Sequence, residues 1–192
     1  MLPLIAGLLL FLGVHSVRMV ADDWRSATMA RLGEGAWKGL FSLASLAGLV
    51  LMVWGYGMTR ADPVLLWNPP LWTRHVTTLL TIPAFILIAA AYVPRNHFKA
   101  AIGHPMVLGV KVWALAHLIS NGRLGDVLLF GAFLVWAVAD FASARRRDRA
   151  AGTPYAAGTL AGDAGAIGAG LAAWAAFALY LHVWLIGVRP FG

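Results

Sequence analysis

The chain has 192 residues, of which 60% are hydrophobic and 12% are charged, and its net charge is +7. Soluble domains carry about 25% charged residues, so this composition excludes a soluble globular protein and indicates an integral membrane protein. The positive charge does not indicate a nucleic-acid-binding face, because the arginines fall between apolar segments. The chain has no cysteine, which excludes disulfides, iron–sulfur clusters and haem attached covalently through a C-x-x-C-H motif.

Six apolar segments with short connections account for nearly the whole sequence, and a membrane-spanning helix needs about 20 apolar residues. We therefore predict an all-α fold, a polytopic membrane helix bundle of about six transmembrane helices that forms a single domain over residues 1–192. The predicted segments are, in chain order, Leu2–Val20, Ala36–Met58, His75–Tyr92, Gly103–Gly122, Leu124–Ala142 and Ala164–Ile186.

The connections between these segments are predicted to be polar or basic. Gly33 and Gly35 are expected to break any helix in the polar stretch 22–35. Residues 94–103 are predicted to form a basic loop, and the fifth segment is expected to stop at the arginine cluster 145–149. The small residues at 158–162 suit close packing within one chain or between chains, so the oligomeric state stays open.

Lysine and arginine are distributed unevenly between the two ends of the predicted helices. If the N-terminus lies outside the cytoplasm, ten of them fall on the inner side, namely Arg18, Arg25, Arg31, Lys38, Arg95, Lys99, Arg145, Arg146, Arg147 and Arg149. Four fall on the outer side, namely Arg60, Arg74, Arg123 and Arg189. The positive-inside rule therefore predicts that both termini lie outside the cytoplasm.

The fourth segment carries two histidines and a lysine, His104, His117 and Lys111. An ionisable side chain inside a bilayer costs at least about 2.5–3.5 kcal/mol on insertion scales, so each is a candidate functional residue. His104 is placed to cap the helix and Pro105 to open it. At 100° per residue, His117 shares a face with Trp113, which suits a flat aromatic cofactor. His104 and Lys111 share another face, which suits a propionate or a lipid phosphate; simple snorkelling is an equal alternative for Lys111.

The histidines are too widely spaced for a known non-haem metal motif. The sequence contains neither the H-x-x-H-H boxes of diiron desaturases nor the H-E-x-x-H motif of zinc proteases. His97, predicted to lie in a loop, and His75, at an interface, are interpreted as solvated or snorkelling side chains. A ligand shared by the other histidines needs imidazoles from different helices, and two axial imidazoles are what a b-type haem requires.

His15 is the natural partner of His117, with Arg18 three residues later on the same helix face. At 1.5 Å per residue, His15 lies about 9 Å, and His117 about 20 Å, from the cytoplasmic end of its helix. Side chains lean toward the N-terminus of their helix, which reduces this difference because the two helices run in opposite directions. His182 and His104 remain substitutes, and the spacing does not choose among them.

The chain resembles the NnrU family along essentially its full length. The motifs that carry the resemblance are LGVHSVR from Leu12, RLGEGAWKGLFSLASLAGLVL from Arg31, WNPP from Trp67, HP at His104, WALAHL from Trp113, NG at Asn121 and the basic end of the fifth segment. This family is similar to 15-cis-zeta-carotene isomerase (Z-ISO), a membrane protein that uses haem b to rotate a carbon–carbon double bond.

The resemblance implies that His15 and His117 are the haem ligands, that haem b is the cofactor, and that the protein resides in the bacterial inner membrane. On this hypothesis Arg18 and Lys111 anchor the propionates and Trp113 packs on the porphyrin. Z-ISO has a cysteine three residues before its second histidine, where this chain has Ala114, so no thiolate is available there.

Three functional hypotheses follow from these residues. The first is a haem-dependent cis–trans isomerase, or a related redox-sensitive enzyme, acting on a lipophilic polyene. The second is a haem-binding accessory or nitric oxide sensing protein that supports a respiratory reductase of denitrification, because the NnrU family is associated with nitrite and nitric oxide reduction. The third is a haem-free protein whose histidines link helices by hydrogen bonds. The expected partners are a lipophilic small molecule, membrane lipid and, in the second case, a respiratory redox protein.

Overall fold

A computed structural model describes residues 1–190, which are almost entirely helical. The elements are α1 (Leu2–Val20), α2 (Asp22–Leu32), α3 (Glu34–Ala61), α4 (Trp72–Tyr92), α5 (His97–Ile102), α6 (Pro105–Ser120), α7 (Leu124–Ala151), α8 (Leu160–Ala176), a π-helical turn (Phe177–Leu181) and α9 (His182–Ile186). The described residues contain no β-strand beyond a single antiparallel bridge between Leu65 and Arg123. The predicted all-α class is confirmed.

Five helices of this chain are long and apolar enough to cross a membrane. They are α1, α3, α4, α7 and the continuous helix that α8, the π-helical turn and α9 form over Leu160–Ile186. The sixth predicted segment, α6, is apolar but has 16 residues, which at 1.5 Å per residue makes it about 24 Å long. The composition and lengths are those of a polytopic membrane protein, as predicted.

Two connections contain helices, and one of them, residues 94–103, was predicted to be a loop. The stretch after α1 forms α2, because Asp22 and Asp23 lie in its first turn, where acidic side chains favour helix formation. This helix ends at Gly33, whose φ is +83°, whereas Gly35 lies inside α3. The predicted basic loop contains α5, because the side chain of Asn96 accepts a hydrogen bond from the Lys99 backbone N–H and so caps that helix.

The prediction that the fifth segment stops at the arginine cluster is wrong. Helix α7 continues through this cluster to Ala151. Alanine and arginine are both strong helix formers, and the Arg147 guanidinium donates a hydrogen bond of 2.8 Å to Ser143 Oγ one turn earlier. The arginines therefore end the apolar part of α7 but not the helix.

The chain divides into two compact units, and the first contains residues 1–67 and 122–136. In this unit α1 packs against α3 through glycines. A Cβ added at Gly48 would lie 2.7 Å from the backbone nitrogen of Phe11, and a Cβ at Gly55 would overlap the backbone of Leu4. Leu4 and Met52 form the core with Leu8, and residues from the first half of α7 pack against it. Missing side chains thus allow the two backbones to approach closely.

A buried carboxylate joins α3 to the start of α7 in the first unit. Tyr56 donates a hydrogen bond of 2.6 Å to Asp126 Oδ1, and Asp126 Oδ2 accepts from the backbone N–H of Arg123, which it caps. Asp126 is 4% exposed. Each of its oxygens therefore depends on one protein donor.

We expect Tyr56→Phe to lower the free energy of unfolding by about 1–3 kcal/mol, because it leaves Asp126 Oδ1 buried without a donor. Thermal unfolding in detergent micelles measures the effect. Tyr180→Phe is the matched control, since Tyr180 is 73% exposed. Equal melting temperatures of the two variants would contradict the proposed contribution of the Tyr56 hydroxyl.

The second unit contains residues 68–121 and the chain from Ala137 onward. Helix α4 packs against α6 and against α8. Thr77 of α4 donates a hydrogen bond of 2.7 Å to the carbonyl of Ala116, and the Trp174 indole of α8 donates one of 3.0 Å to Thr81 Oγ1. A Cβ at Gly162 would overlap the backbone of Arg95, so this part of the 158–162 stretch packs within the chain.

Candidate functional site

His15 lies on the face of α1 that packs against α3. Its Nδ1 is 2.7 Å from the carbonyl oxygen of Phe11, one turn earlier in the helix. A carbonyl oxygen can only accept, so Nδ1 carries a proton; in the neutral tautomer with this proton, the lone pair lies on Nε2. Within residues 1–190, no group forms a hydrogen bond with this Nε2. The imidazole is therefore oriented and available as a ligand.

Three aromatic rings surround the His15 imidazole within the first unit. Phe11 stacks on it with a centroid distance of 4.2 Å. Phe41 and Trp136 make edge-to-face contacts with it, at centroid distances of 5.0 and 6.2 Å. These rings reduce the access of water to the imidazole. They also form an environment that suits a flat apolar cofactor.

Two polar atoms in the first unit are buried without a hydrogen-bond partner, Ser45 Oγ and Trp136 Nε1. The Trp136 ring is one of the three rings around the His15 imidazole. Most buried polar groups in native proteins are hydrogen-bonded, so each exception needs an explanation. Neither residue was predicted as a site residue from the sequence, although Ser45 is a polar residue within an apolar stretch of α3.

His117 has the same local geometry in the second unit. Its Nδ1 lies 2.8 Å from the carbonyl oxygen of Trp113, so this nitrogen again donates the hydrogen bond. The Trp113 ring lies 5.1 Å from the imidazole, as the predicted shared face requires. Asn121 donates a hydrogen bond of 2.8 Å to the His117 carbonyl. Ala114 is completely buried.

His104 occupies the N-cap position of α6, but its side chain does not cap the helix. Instead, Nε2 lies 2.7 Å from Asp148 Oδ2 near the end of α7, and Tyr155 donates a hydrogen bond to the same oxygen. Burial of the phenol raises the pKa of Tyr155 to about 12, and the hydrogen bond to Asp148 acts in the same direction. The Nε2 of His104 is thus engaged by protein groups.

The other residues predicted to contact the cofactor or to replace a ligand are Lys111, Arg18 and His182. Lys111 Nζ is 4.5 Å from the centroid of the Phe141 ring, a cation–π contact. Arg18 is exposed near the end of α1. The Nδ1 of His182, which follows the π-helical turn, lies 2.7 Å from the Val188 carbonyl oxygen. The roles of these residues stay predictions.

His97 does not lie in a loop as predicted, because it opens α5. Its Nδ1 is 2.7 Å from Asp163 Oδ2, and its backbone N–H donates a hydrogen bond of 2.7 Å to Asp163 Oδ1. The side chain therefore ties α5 to α8 within the second unit. No local sequence pattern predicts this pair, because 66 residues separate its members.

The sequence profile of the NnrU protein family matches residues 3–190. The chain belongs to the NnrU family. The match includes His15 and His117, the two histidines whose Nδ1 lies near a carbonyl oxygen one turn earlier in the same helix. No curated protein and no solved structure matches this NnrU chain.

The donor set of the NnrU protein is compatible with haem. Among residues 1–190, no group of three or more His, Cys, Asp or Glu side chains could hold a bare metal ion. A haem iron is held by its porphyrin and needs protein ligands only at its axial positions. His15 and His117 each have an imidazole oriented by a hydrogen bond from Nδ1 to a backbone carbonyl. The residues present therefore fit this group.

Proposed function

We propose that this NnrU protein binds haem b through the imidazoles of His15 and His117. The observation that supports the proposal is the hydrogen bond from each Nδ1–H to a carbonyl of its own helix, at 2.7 and 2.8 Å. Such a bond fixes the tautomer, orients the ring and raises the basicity of Nε2. In each unit, the hydrogen bond at Nδ1 thus orients the imidazole so that its Nε2 can coordinate iron.

We further propose that the protein is a cis–trans isomerase of a lipophilic polyene, or a related haem-dependent enzyme, in the bacterial inner membrane. Haem b, when bound, supplies a redox-active iron and an extended aromatic surface. Isomerisation requires no proton transfer, so the chain's task is to hold and orient the two flat molecules. Trp113 and the rings of Phe11 and Phe41 provide apolar contacts and exclude water.

The proposed orientation in the membrane has both termini in the periplasm. It follows from the excess of arginine and lysine at one end of the predicted segments. A reporter active only in the cytoplasm, fused at Gly192, would show no activity in this orientation. An active fusion would reverse the assignment.

The experiment that tests haem binding is the optical spectrum of the purified protein, oxidised and then reduced with dithionite. We expect a Soret band and the sharp reduced bands of an iron with two imidazole ligands. Expression must include an adequate haem supply. A preparation that is folded but has no Soret band would overturn the proposal.

A second measurement separates an enzyme from an accessory protein. Reduced holoprotein is incubated with cis-polyenes, and the isomers are separated by chromatography. Conversion that depends on protein concentration and exceeds one equivalent supports the isomerase. Full haem loading without conversion, together with a spectral change on titration with nitric oxide, would point to the accessory or sensing role instead.

A further inference from the structure

The contacts between α1 and α3 follow a regular antiparallel register. Leu4 meets Gly55, Gly7 meets Met52, and Phe11 meets Gly48, so each step along α1 is matched by an opposite step along α3. The contacting α1 positions 4, 7, 11 and 15 recur every three or four residues. The contacting α3 positions 41, 48, 52 and 55 fit a heptad pattern that also includes position 45, as in a helix–helix seam.

This register brings Ser45 to the level of His15. Ser45 lies between Phe41 and Gly48 on the seam face of α3, and Phe41 and Gly48 contact His15 and Phe11 respectively. Trp136 of α7 reaches the same level, because its ring is 6.2 Å from the His15 ring. Three polar atoms therefore lie around one level of the first unit: His15 Nε2, Ser45 Oγ and Trp136 Nε1.

The chemistry of Ser45 Oγ and Trp136 Nε1 restricts which kind of group could form hydrogen bonds with them. A buried polar group without a hydrogen bond is costly, and more so in a membrane protein. The Trp136 indole N–H can only donate, and the Ser45 hydroxyl can donate as well. The occupant must therefore carry a hydrogen-bond acceptor. A hydrocarbon polyene has none, whereas each haem b carries two carboxylates.

We infer that Ser45 Oγ and Trp136 Nε1 donate hydrogen bonds to a carboxylate of the tetrapyrrole that His15 binds. This inference rests on the proposed haem binding, and it assigns the carboxylate contact to residues other than Lys111, which lies over Phe141. Arg18 follows His15 by one turn on α1 and adds a positive charge on the same side. Neutral donors and one cation together stabilise a carboxylate within a membrane protein.

The test uses protoporphyrin IX, which lacks iron, and its dimethyl ester, which lacks the ionised carboxylates. Both are added to the full-length apoprotein in detergent, and affinities are measured by fluorescence. A hydrogen bond to a charged group contributes about 1.5–3 kcal/mol, so two should give the acid at least about 100-fold tighter binding than the ester. Trp136→Phe and Ser45→Ala should each reduce this ratio about tenfold.

Matched controls are Trp174→Phe, because the Trp174 indole already donates to Thr81, and Ser42→Ala, because Ser42 is an exposed serine on α3. Both should keep the native ratio. Ser45→Thr, which retains the hydroxyl, should keep most of it. Where one of the two variants fails to fold, the acid-to-ester ratio of the other still tests its donor.

Equal affinity of the native protein for acid and ester would overturn the inference, as would an unchanged ratio in Trp136→Phe and Ser45→Ala. The two buried atoms would then be satisfied by internal water. Failure of the proposed function has a different signature, in which the acid preference depends on Ser45 and Trp136 but added haem shows no histidine-dependent spectrum. No binding of any porphyrin would reject both.

Discussion

Replacing His15 or His117 with alanine is expected to convert the haem spectrum from low spin to high spin, or to lose the haem. Each variant removes one proposed iron ligand, whose Nδ1–H donates to a backbone carbonyl. Since loss of a supporting partner alone typically costs 10–100-fold in metal affinity, loss of the ligand should cost at least about 100-fold. Optical titration of the apoproteins with haem measures both quantities.

Two other histidines provide the controls. His75 is exposed on α4, so His75→Ala should leave the spectrum unchanged. His104→Ala should also keep it, because the Nε2 of His104 is engaged by Asp148. Added imidazole should restore the low-spin spectrum of a ligand variant by occupying the vacated position. A native spectrum in His117→Ala would reject this ligand and favour His182.

Gly55→Ala is expected to destabilise the protein by about 3 kcal/mol or more, at the upper end of what overpacking costs. The added methyl group would overlap the backbone of Leu4, which cannot rotate away as a flexible side chain would. Helices α1 and α3 must then separate along the seam. Thermal unfolding in detergent, or titration with a denaturing detergent, gives the change in stability.

Gly57→Ala is the matched control on the same helix, because a Cβ at Gly57 has no neighbour within 4 Å. We expect this variant to be as stable as the native protein or more stable by about 0.5–1 kcal/mol, since alanine is the better helix former. If both variants melt at the same temperature, close backbone approach at Gly55 does not contribute to the stability of the first unit.

The sequence predicted the helical class and most helix positions well. Segment Leu2–Val20 coincides with α1, and the fourth segment contains α6, with Pro105 opening the helix and Asn121 ending it. These features depend on hydropathy and on residues that start or stop a helix locally. Helix α5 and the end of α7 were predicted wrongly because polar, charged residues outside an apolar segment can still form helix. Helix α2 was not predicted for the same reason, although the predicted glycine break ends it at Gly33.

Local spacing also determined which residues share a helix face. The contact between Trp113 and His117, one turn apart, was predictable because it depends on the geometry of one helix. For the same reason, the Nδ1-to-carbonyl bonds of His15 and His117 each lie within four residues. The candidate ligands could therefore be selected from sequence, and their tautomer followed from the fold of a single helix.

Contacts between distant segments were decided by the tertiary structure alone. Asp148 lies 44 residues from His104, and Asp163 lies 66 residues from His97, so no periodicity within a helix could pair them. Ser45 and Trp136 became significant only when packing showed both atoms buried without a partner near His15. The sequence by itself determined a polytopic helical membrane protein and its candidate ligands. Packing decided which polar groups are already satisfied and which remain available to a ligand, because burial is a property of all neighbouring helices together.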